Sequence, residues 1–302
     1  EISPRDWSSD VCSSDLKPRR LDFSTVTNAT ATPLLSTPSL KVAVTKFFLL
    51  AGNDTFIRAL FSEFERRQTT GTTHSLAFGI SSERLYEQLC QNKVDLALVG
   101  AGVTALLPAS SEYELLATPV ANGTTTSAVC LVVPASSTVR SIADLRDKTF
   151  IFTDSLSYSG YAFPRKLVSD LGYLPESFFR HTLISPSHEN TVYLLKKGFG
   201  DGAVIDRPVL EWAMRAHPEL RAHFRIVTEW LGMPMPQMLV SKSLPVSYRT
   251  ALREFFLTLH ETPSGRIILG NTFIERFVAA DAQVYENLRS SMIQFGSLKI
   301  SP

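Results

Sequence analysis

From residue 40 onward the chain alternates short apolar runs with segments whose apolar residues recur at helical spacing. That alternation restricts it to an α/β architecture with crossover units. Residues 41–50 read as a strand, and residues 54–67 as a helix with Phe56, Ile57, Leu60, Phe61 and Phe64 on one stripe. Strands are expected at 74–79, 95–99, 115–122 and 127–134, with a serine-capped helix over 82–91.

A second set of elements begins with a short helix at 141–145. A strand at 149–153 follows, then a polar turn and a helix over 161–171. Ser187 opens a helix over 190–197, which Gly198 stops. Residues 202–206 read as a buried strand, and 208–216 as a helix with proline in its first turn. Strands at 225–230 and 238–241 cross back, and 246–260 and 273–295 read as mostly helical.

With 302 residues the chain is about twice the commonest domain size, so two lobes with a cleft between them are expected. The chain is expected to leave the first lobe near Pro134 and to return near Trp230. Lobe 1 then comprises residues 40–133 and 228–302, and lobe 2 residues 134–227. Residues 1–39 lack either periodicity and are rich in Ser, Thr and Pro. They read as a disordered linker or a non-native leader.

Thirty Lys+Arg against 29 Asp+Glu give a net charge of +1, so no global field attracts nucleic acid or an anionic membrane. No nucleic-acid partner is expected, and charge recognition must be local. The longest weakly polar stretch, residues 96–109, contains two glycines and a proline. It falls short of the roughly 20 apolar residues of a spanning helix. The cysteines Cys12, Cys90 and Cys130 have no metal-binding spacing. Two buried free thiols at Cys90 and Cys130 are favoured over a bridge, and no metal or cofactor is expected.

Three segments carry candidate chemistry. The stretch 152–164 joins a strand end, a hydroxyl-rich turn with Ser157, Tyr158, Ser159 and Gly160, and a helix start. Orphan N–H groups and the positive dipole end sit at such a start, so hydroxyls there can close around an anion. A lone serine at that position would more often serve as a cap. His188 opens a second helix, where a neutral imidazole can donate one N–H to an anion. Asp206 ends a strand where open α/β sheets place ligands, although an aspartate there also suits a helix cap.

Together with Asn92–Gly100, Ser141–Leu145 and Met233–Pro236, these segments resemble the phosphate/phosphite/phosphonate-binding proteins of ABC importers, colinearly over about residues 40–295. The resemblance implies a two-lobed type II periplasmic binding fold and a non-enzymatic extracytoplasmic solute-binding protein. Its ligand would be a phosphonate, phosphite or related small oxyanion, its partner a membrane permease, and its state a monomer. It would be periplasmic, or membrane-associated if lipidated or part of a receptor. Ser157 and Ser159 match the family's hydroxyl turn, with Tyr158 where threonine is usual, and His188 matches its histidine. Asp206 falls where it can face the ligand's substituent. First-lobe tyrosines are missing: Ser82 stands at one position and Val103 or Thr104 at the other, while Gln237 replaces a common acidic residue. An aminoalkyl ligand needing two carboxylates is therefore not expected.

Two other readings remain at this level. Ser157 or Ser159 with His188 and Asp206 makes the inventory of a hydrolytic triad, but no Gly-x-Ser-x-Gly elbow surrounds either serine. The same fold also serves as the ligand-sensing input domain of signalling receptors such as histidine kinases. A sensor would continue beyond Pro302 into a membrane helix.

Overall fold

The computed structural model describes residues 39–45, 54–68, 73–108, 110–270 and 272–296. The expected leader, apart from residue 39, and the last part of the strand expected at 41–50 lie outside these residues.

Two sheets organise the chain. The first is built from β1 (Leu40–Thr45), α1 (Thr55–Arg67), β2 (His74–Ile80), α2 (Ser82–Cys90), β3 (Leu96–Val99), α3 (Ala101–Leu106) and β4 (Tyr113–Val120). The chain then enters the second sheet through β5 (Thr126–Pro134), β6 (Thr149–Thr153), α4 (Phe163–Asp170), α5 (Pro175–Phe178) and β7 (His181–Ser185). That sheet is completed by α6 (His188–Lys196), β8 (Gly202–Asp206), α7 (Arg207–Ala216), α8 (Leu220–His223) and β9 (Phe224–Pro234). Finally β10 (Gln237–Ser241), α9 (Val246–Thr258), α10 (Pro263–Leu269), β11 (Arg276–Val278) and α11 (Ala282–Phe295) return to the first sheet.

Strand order is β11-β4-β10-β3-β1-β2 in the first sheet and β7-β6-β8-β5-β9 in the second. β1 runs parallel to β2 and β3, and β6 runs parallel to β7 and β8. The remaining pairs are antiparallel.

Each sheet is covered on both faces, which explains why its central strands read as continuous apolar runs. Val42, Val44, Leu96 and Leu98 pack under Ile57, Leu60, Phe61 and Phe64 of α1 and under Phe255 and Phe256 of α9. The intervening residues Ala43, Ala97 and Val99 face the other way, against α2, α3 and α11, as the two-residue period of a strand requires. In the second sheet Val129, Leu131 and Val133 share a core with Phe150, Phe152, Phe178 and Phe179. Phe150 stacks on Phe179 with ring centroids 4.5 Å apart. Cys130, Val132 and Ile205 face α6 and α7.

Several expectations are corrected. The chain passes between the sheets at residues 121–125 and 235–236. β5 pairs with β9 from Thr126↔Pro234 to Pro134↔Phe224, which holds both strands in the second sheet. The supposedly helical stretch 273–295 contains β11, whose Arg276–Val278 pairs with Val120–Thr118 of β4 before α11 begins. α3, α5, β7 and α10 escaped the sequence reading. In β7 four of five residues are exposed, so the strand has no apolar run to betray it. Cys90 and Cys130 are free thiols, but only Cys130 is buried, Cys90 being exposed near the end of α2; burial pushes the Cys130 thiol up to about 11.

Candidate functional site

Parallel strands end at the same edge of each sheet. A cleft opens there, lined by Thr45, Ile80, Thr153 and Asp206, the last residues of β1, β2, β6 and β8, and by Gly100 just after β3. This is where open α/β sheets hold ligands, outside the carboxyl ends of the strands. Pro234 and Pro236, at the return crossing, also line it.

The 157–160 turn fits into this edge as a π-turn over Tyr158–Ala162 leading into α4. Ser157 is its cap: Oγ accepts from the Gly160 N–H at 3.0 Å. A cap uses one lone pair and leaves the hydroxyl proton free to donate. Its Oγ also lies 3.3 Å from that of Ser159. Gly160 has no room for a side chain, since a Cβ there would come within 2.5 Å of Thr153 Cβ and 3.0 Å of His188 Cε1. Burial pushes the Tyr158 phenol up, and its ring packs against the cores of both sheets.

His188 is 7% exposed, in the first turn of α6. Ser187 caps that helix, accepting from the Asn190 N–H at 3.2 Å. Beneath it, hydroxyls of Thr153, Thr191 and Ser185 hydrogen-bond to one another and tie α6 to β6 and β7. The Asp206 backbone N–H donates to His188 Nδ1 at 3.3 Å. Nδ1 is thus an acceptor, and the proton of a neutral ring resides on Nε2. Nε2 lies 3.4 Å from Ser159 Oγ and 3.3 Å from Asp206 Oδ2.

That geometry argues against a triad. Both the serine and the carboxylate meet the same nitrogen, and that nitrogen carries the proton. A general base needs a free lone pair facing the serine.

Contacts cross the cleft between the two sheets. Ser82 Oγ donates to Asp154 Oδ2, and Ser155 Oγ donates to Glu83. Ser81, not Ser82, caps α2 by accepting from the Arg84 N–H at 3.3 Å, which frees Ser82 for this contact. Asp154 has a left-handed backbone (φ 44°). Its Oδ1 accepts from the Leu156 N–H at 3.1 Å. Burial pushes its carboxyl above the usual range, against the lowering effect of the Ser82 bond. Leu156 packs in the core of the first sheet. Gly102 lies so close that a Cβ would sit 2.1 Å from the Leu156 carbonyl oxygen.

Of the eight residues expected from the sequence, Ser82, Ser157, Tyr158, Ser159, His188 and Asp206 line this cleft. Thr104 and Gln237 do not. The part of α3 that reaches the cleft is its opening, Gly100–Gly102, and Thr104 lies beyond it. Gln237 is fully buried; its Oε1 accepts from Thr118 Oγ1 at 2.8 Å and its Nε2 donates to the Met235 and Pro236 carbonyls at 2.7 and 3.1 Å. Its carboxamide therefore satisfies the backbone of the return crossing. Asp154, Ser127 and Glu189 also line the cleft and escaped the sequence reading. Asp154 stood in plain view in the 152–164 stretch, but only its contact with Ser82 distinguishes it from an ordinary turn aspartate. Among the described residues lining the cleft, three are carboxylates, Asp154, Glu189 and Asp206, and none is lysine or arginine.

Two α/β sheets with a donor-lined cleft at their shared edge define a two-lobed binding protein of the type II periplasmic fold. Over residues 57–285, more than half of the chain, the sequence matches the family described as "ABC transporter, phosphonate, periplasmic substrate-binding protein". The protein belongs to that family, whose members are substrate-binding proteins rather than enzymes. No curated protein matches the chain in sequence. Among solved structures, it is similar to a binding protein component of an ABC phosphonate transporter from Pseudomonas aeruginosa, with TM-score 0.76, 19% identity, and 86% of this chain and 87% of that one covered. It is also similar to PhnD1 from Prochlorococcus marinus in complex with methylphosphonate, with TM-score 0.72, 18% identity and coverage of 85% and 97%. A histidine kinase sensor domain shares the fold less closely, with TM-score 0.54, 14% identity and coverage of 80% and 98%.

Proposed function

We propose that this protein captures a small oxyanion, a phosphonate, phosphite or related compound, by closing its two lobes around the cleft, and delivers it as a monomer to the membrane permease of an ABC transporter. Residues 40–120 with 237–295 would form one lobe and residues 126–234 the other. The protein would work in the periplasm, held at the membrane if lipidated.

The observation that carries this reading is the convergence of Ser157, Ser159 and His188 Nε2 at one end of the cleft, with the first turns of the π-turn and α6 behind them. Neutral donors can replace the hydration of an anion. Each charge-assisted hydrogen bond contributes about 1.5–3 kcal/mol, and each helix terminus about 0.3–1 kcal/mol. Four or five such contacts, offset by ordering costs, give roughly micromolar binding, about −8 kcal/mol. Closure would remove the remaining water, and the Ser82–Asp154 contact is of the kind that closure makes.

A thermal-shift panel of phosphate, phosphite, methylphosphonate, 2-aminoethylphosphonate and methanesulfonate tests the reading, because a ligand selective for the folded form raises the melting temperature. At least one phosphorus oxyanion is expected to stabilise the protein. A panel without any shift would refute the ligand assignment.

A further inference from the structure

A second cavity, of about 300 Å³, lies between α7, α8 and β9 and shares no lining residue with the cleft. That volume stands at the lower end of sites for small molecules. Part of its wall is apolar: Leu210 is fully buried, Met214 is half-buried and Ile226 is 38% exposed. Three arginines, Arg207, Arg215 and Arg221, line the rest together with Glu211.

The arginines differ in what they hold. Arg207 donates to both Glu211 and Glu229, which also engages the one carboxylate in the described lining. Among the described residues, the guanidinium groups of Arg215 and Arg221 make no hydrogen bond or ion pair. Glu219, the one acid between them in the chain, turns to Lys196 at 3.2 Å instead. Two uncompensated positive charges therefore share a concavity with partly covered apolar side chains. Guanidinium forks match the paired oxygens of carboxylates and phosphates, and two cations match a dianion.

We propose that this cavity is a second binding site, for a small organic dianion of the phosphate-monoester type. Its phosphate pairs with Arg215 and Arg221, and its apolar body covers Met214 and Ile226. The chemistry is the reverse of that in the cleft, whose described lining holds no arginine or lysine. Binding here relies on charge, so it weakens as salt rises.

Phenyl phosphate is the probe, at about pH 7.5, where a phosphate monoester carries close to two charges. Titration calorimetry compares the wild-type protein with Arg215→Gln/Arg221→Gln. The wild type is expected to bind the ester and the double variant to bind it at least about tenfold more weakly, since two charge-assisted pairings are lost. Raising sodium chloride from about 20 to about 200 mM should weaken wild-type binding severalfold. Inorganic phosphate lacks the apolar body and benzoate the second charge, so each is expected to bind at least about threefold more weakly than the ester. Arg215→Gln and Arg221→Gln singly repeat the comparison should the double variant fold poorly. A wild type that does not bind the ester, or binding that is equal in wild type and variants, overturns the proposal; the second result would move the ester to the cleft. Inorganic phosphate or benzoate binding as tightly as phenyl phosphate overturns the assigned ligand class, and affinity indifferent to salt overturns the role of the two arginines.

Discussion

Asp206 grips His188 from two sides: its backbone N–H donates to Nδ1 at 3.3 Å, and its carboxylate Oδ2 stands 3.3 Å from Nε2. The first contact fixes the tautomer, which leaves the remaining proton on Nε2, the nitrogen that Asp206 Oδ2 and Ser159 Oγ both approach. His188→Ala is therefore expected to weaken any oxyanion found by the thermal-shift panel by more than tenfold, about 1.4 kcal/mol or more. Calorimetry with the best ligand checks this, and an unchanged affinity removes His188 from the site.

Gly160→Ala is expected to lower stability by about 1–3 kcal/mol, since the new methyl group overpacks a closed space. The added Cβ would lie 2.5 Å from Thr153 Cβ and 3.0 Å from His188 Cε1. Ligand-induced stabilisation should fall with it, because the imidazole must move. Denaturant melts with and without ligand test both effects; a variant as stable and as responsive as wild type contradicts the packing account.

Asp154 predicts a pH effect with a definite sign. Burial raises its carboxyl pKa above the ordinary value, so the folded state favours the neutral form. Its contribution is fully present below the ordinary carboxyl range and is lost as pH rises through the raised value. Asp154→Asn should remove this loss. Melting temperatures of the two proteins, followed from about pH 4 to pH 7, should diverge in favour of the variant as pH rises; parallel curves would count against it.

Glu63 predicts the opposite limb. Burial alone would raise its carboxyl, but bonds from Arg66, Ser264 and Arg67 outweigh burial and lower it to about 2. The stability it contributes is present above the ordinary carboxyl range and is lost as pH falls toward that value. Glu63→Gln should cost about 1–3 kcal/mol near neutrality and flatten the acid side of the stability profile. Urea melts at several acidic pH values measure this, and an acid limb unchanged in the variant would argue against the assignment.

Much of this molecule was legible in its sequence because local patterns carried it. The stripe of α1, the buried run of β8 and the glycine that ends the helix at residue 198 are each set by neighbours in the chain. The hydroxyl turn and His188 were legible for the same reason: a helix start announces itself locally. What escaped depends on partners far away. Nothing near β5 says that it pairs with β9, almost a hundred residues on. Ser82 was placed by resemblance, but its function at the cleft comes from Asp154, 72 residues distant. Gln237 looked like a ligand group until its carboxamide proved committed to Thr118 and two carbonyls.

The absence of lysine and arginine among the described cleft residues, set against three carboxylates, reverses a familiar expectation. Sites that hold anions with ammonium or guanidinium groups lose affinity as counter-ions accumulate. Here no cationic side chain lines the described wall, and whatever charge its carboxylates carry repels the incoming ligand, a repulsion that dissolved electrolyte shields. Capture by this protein should therefore hold steady or improve with rising ionic strength.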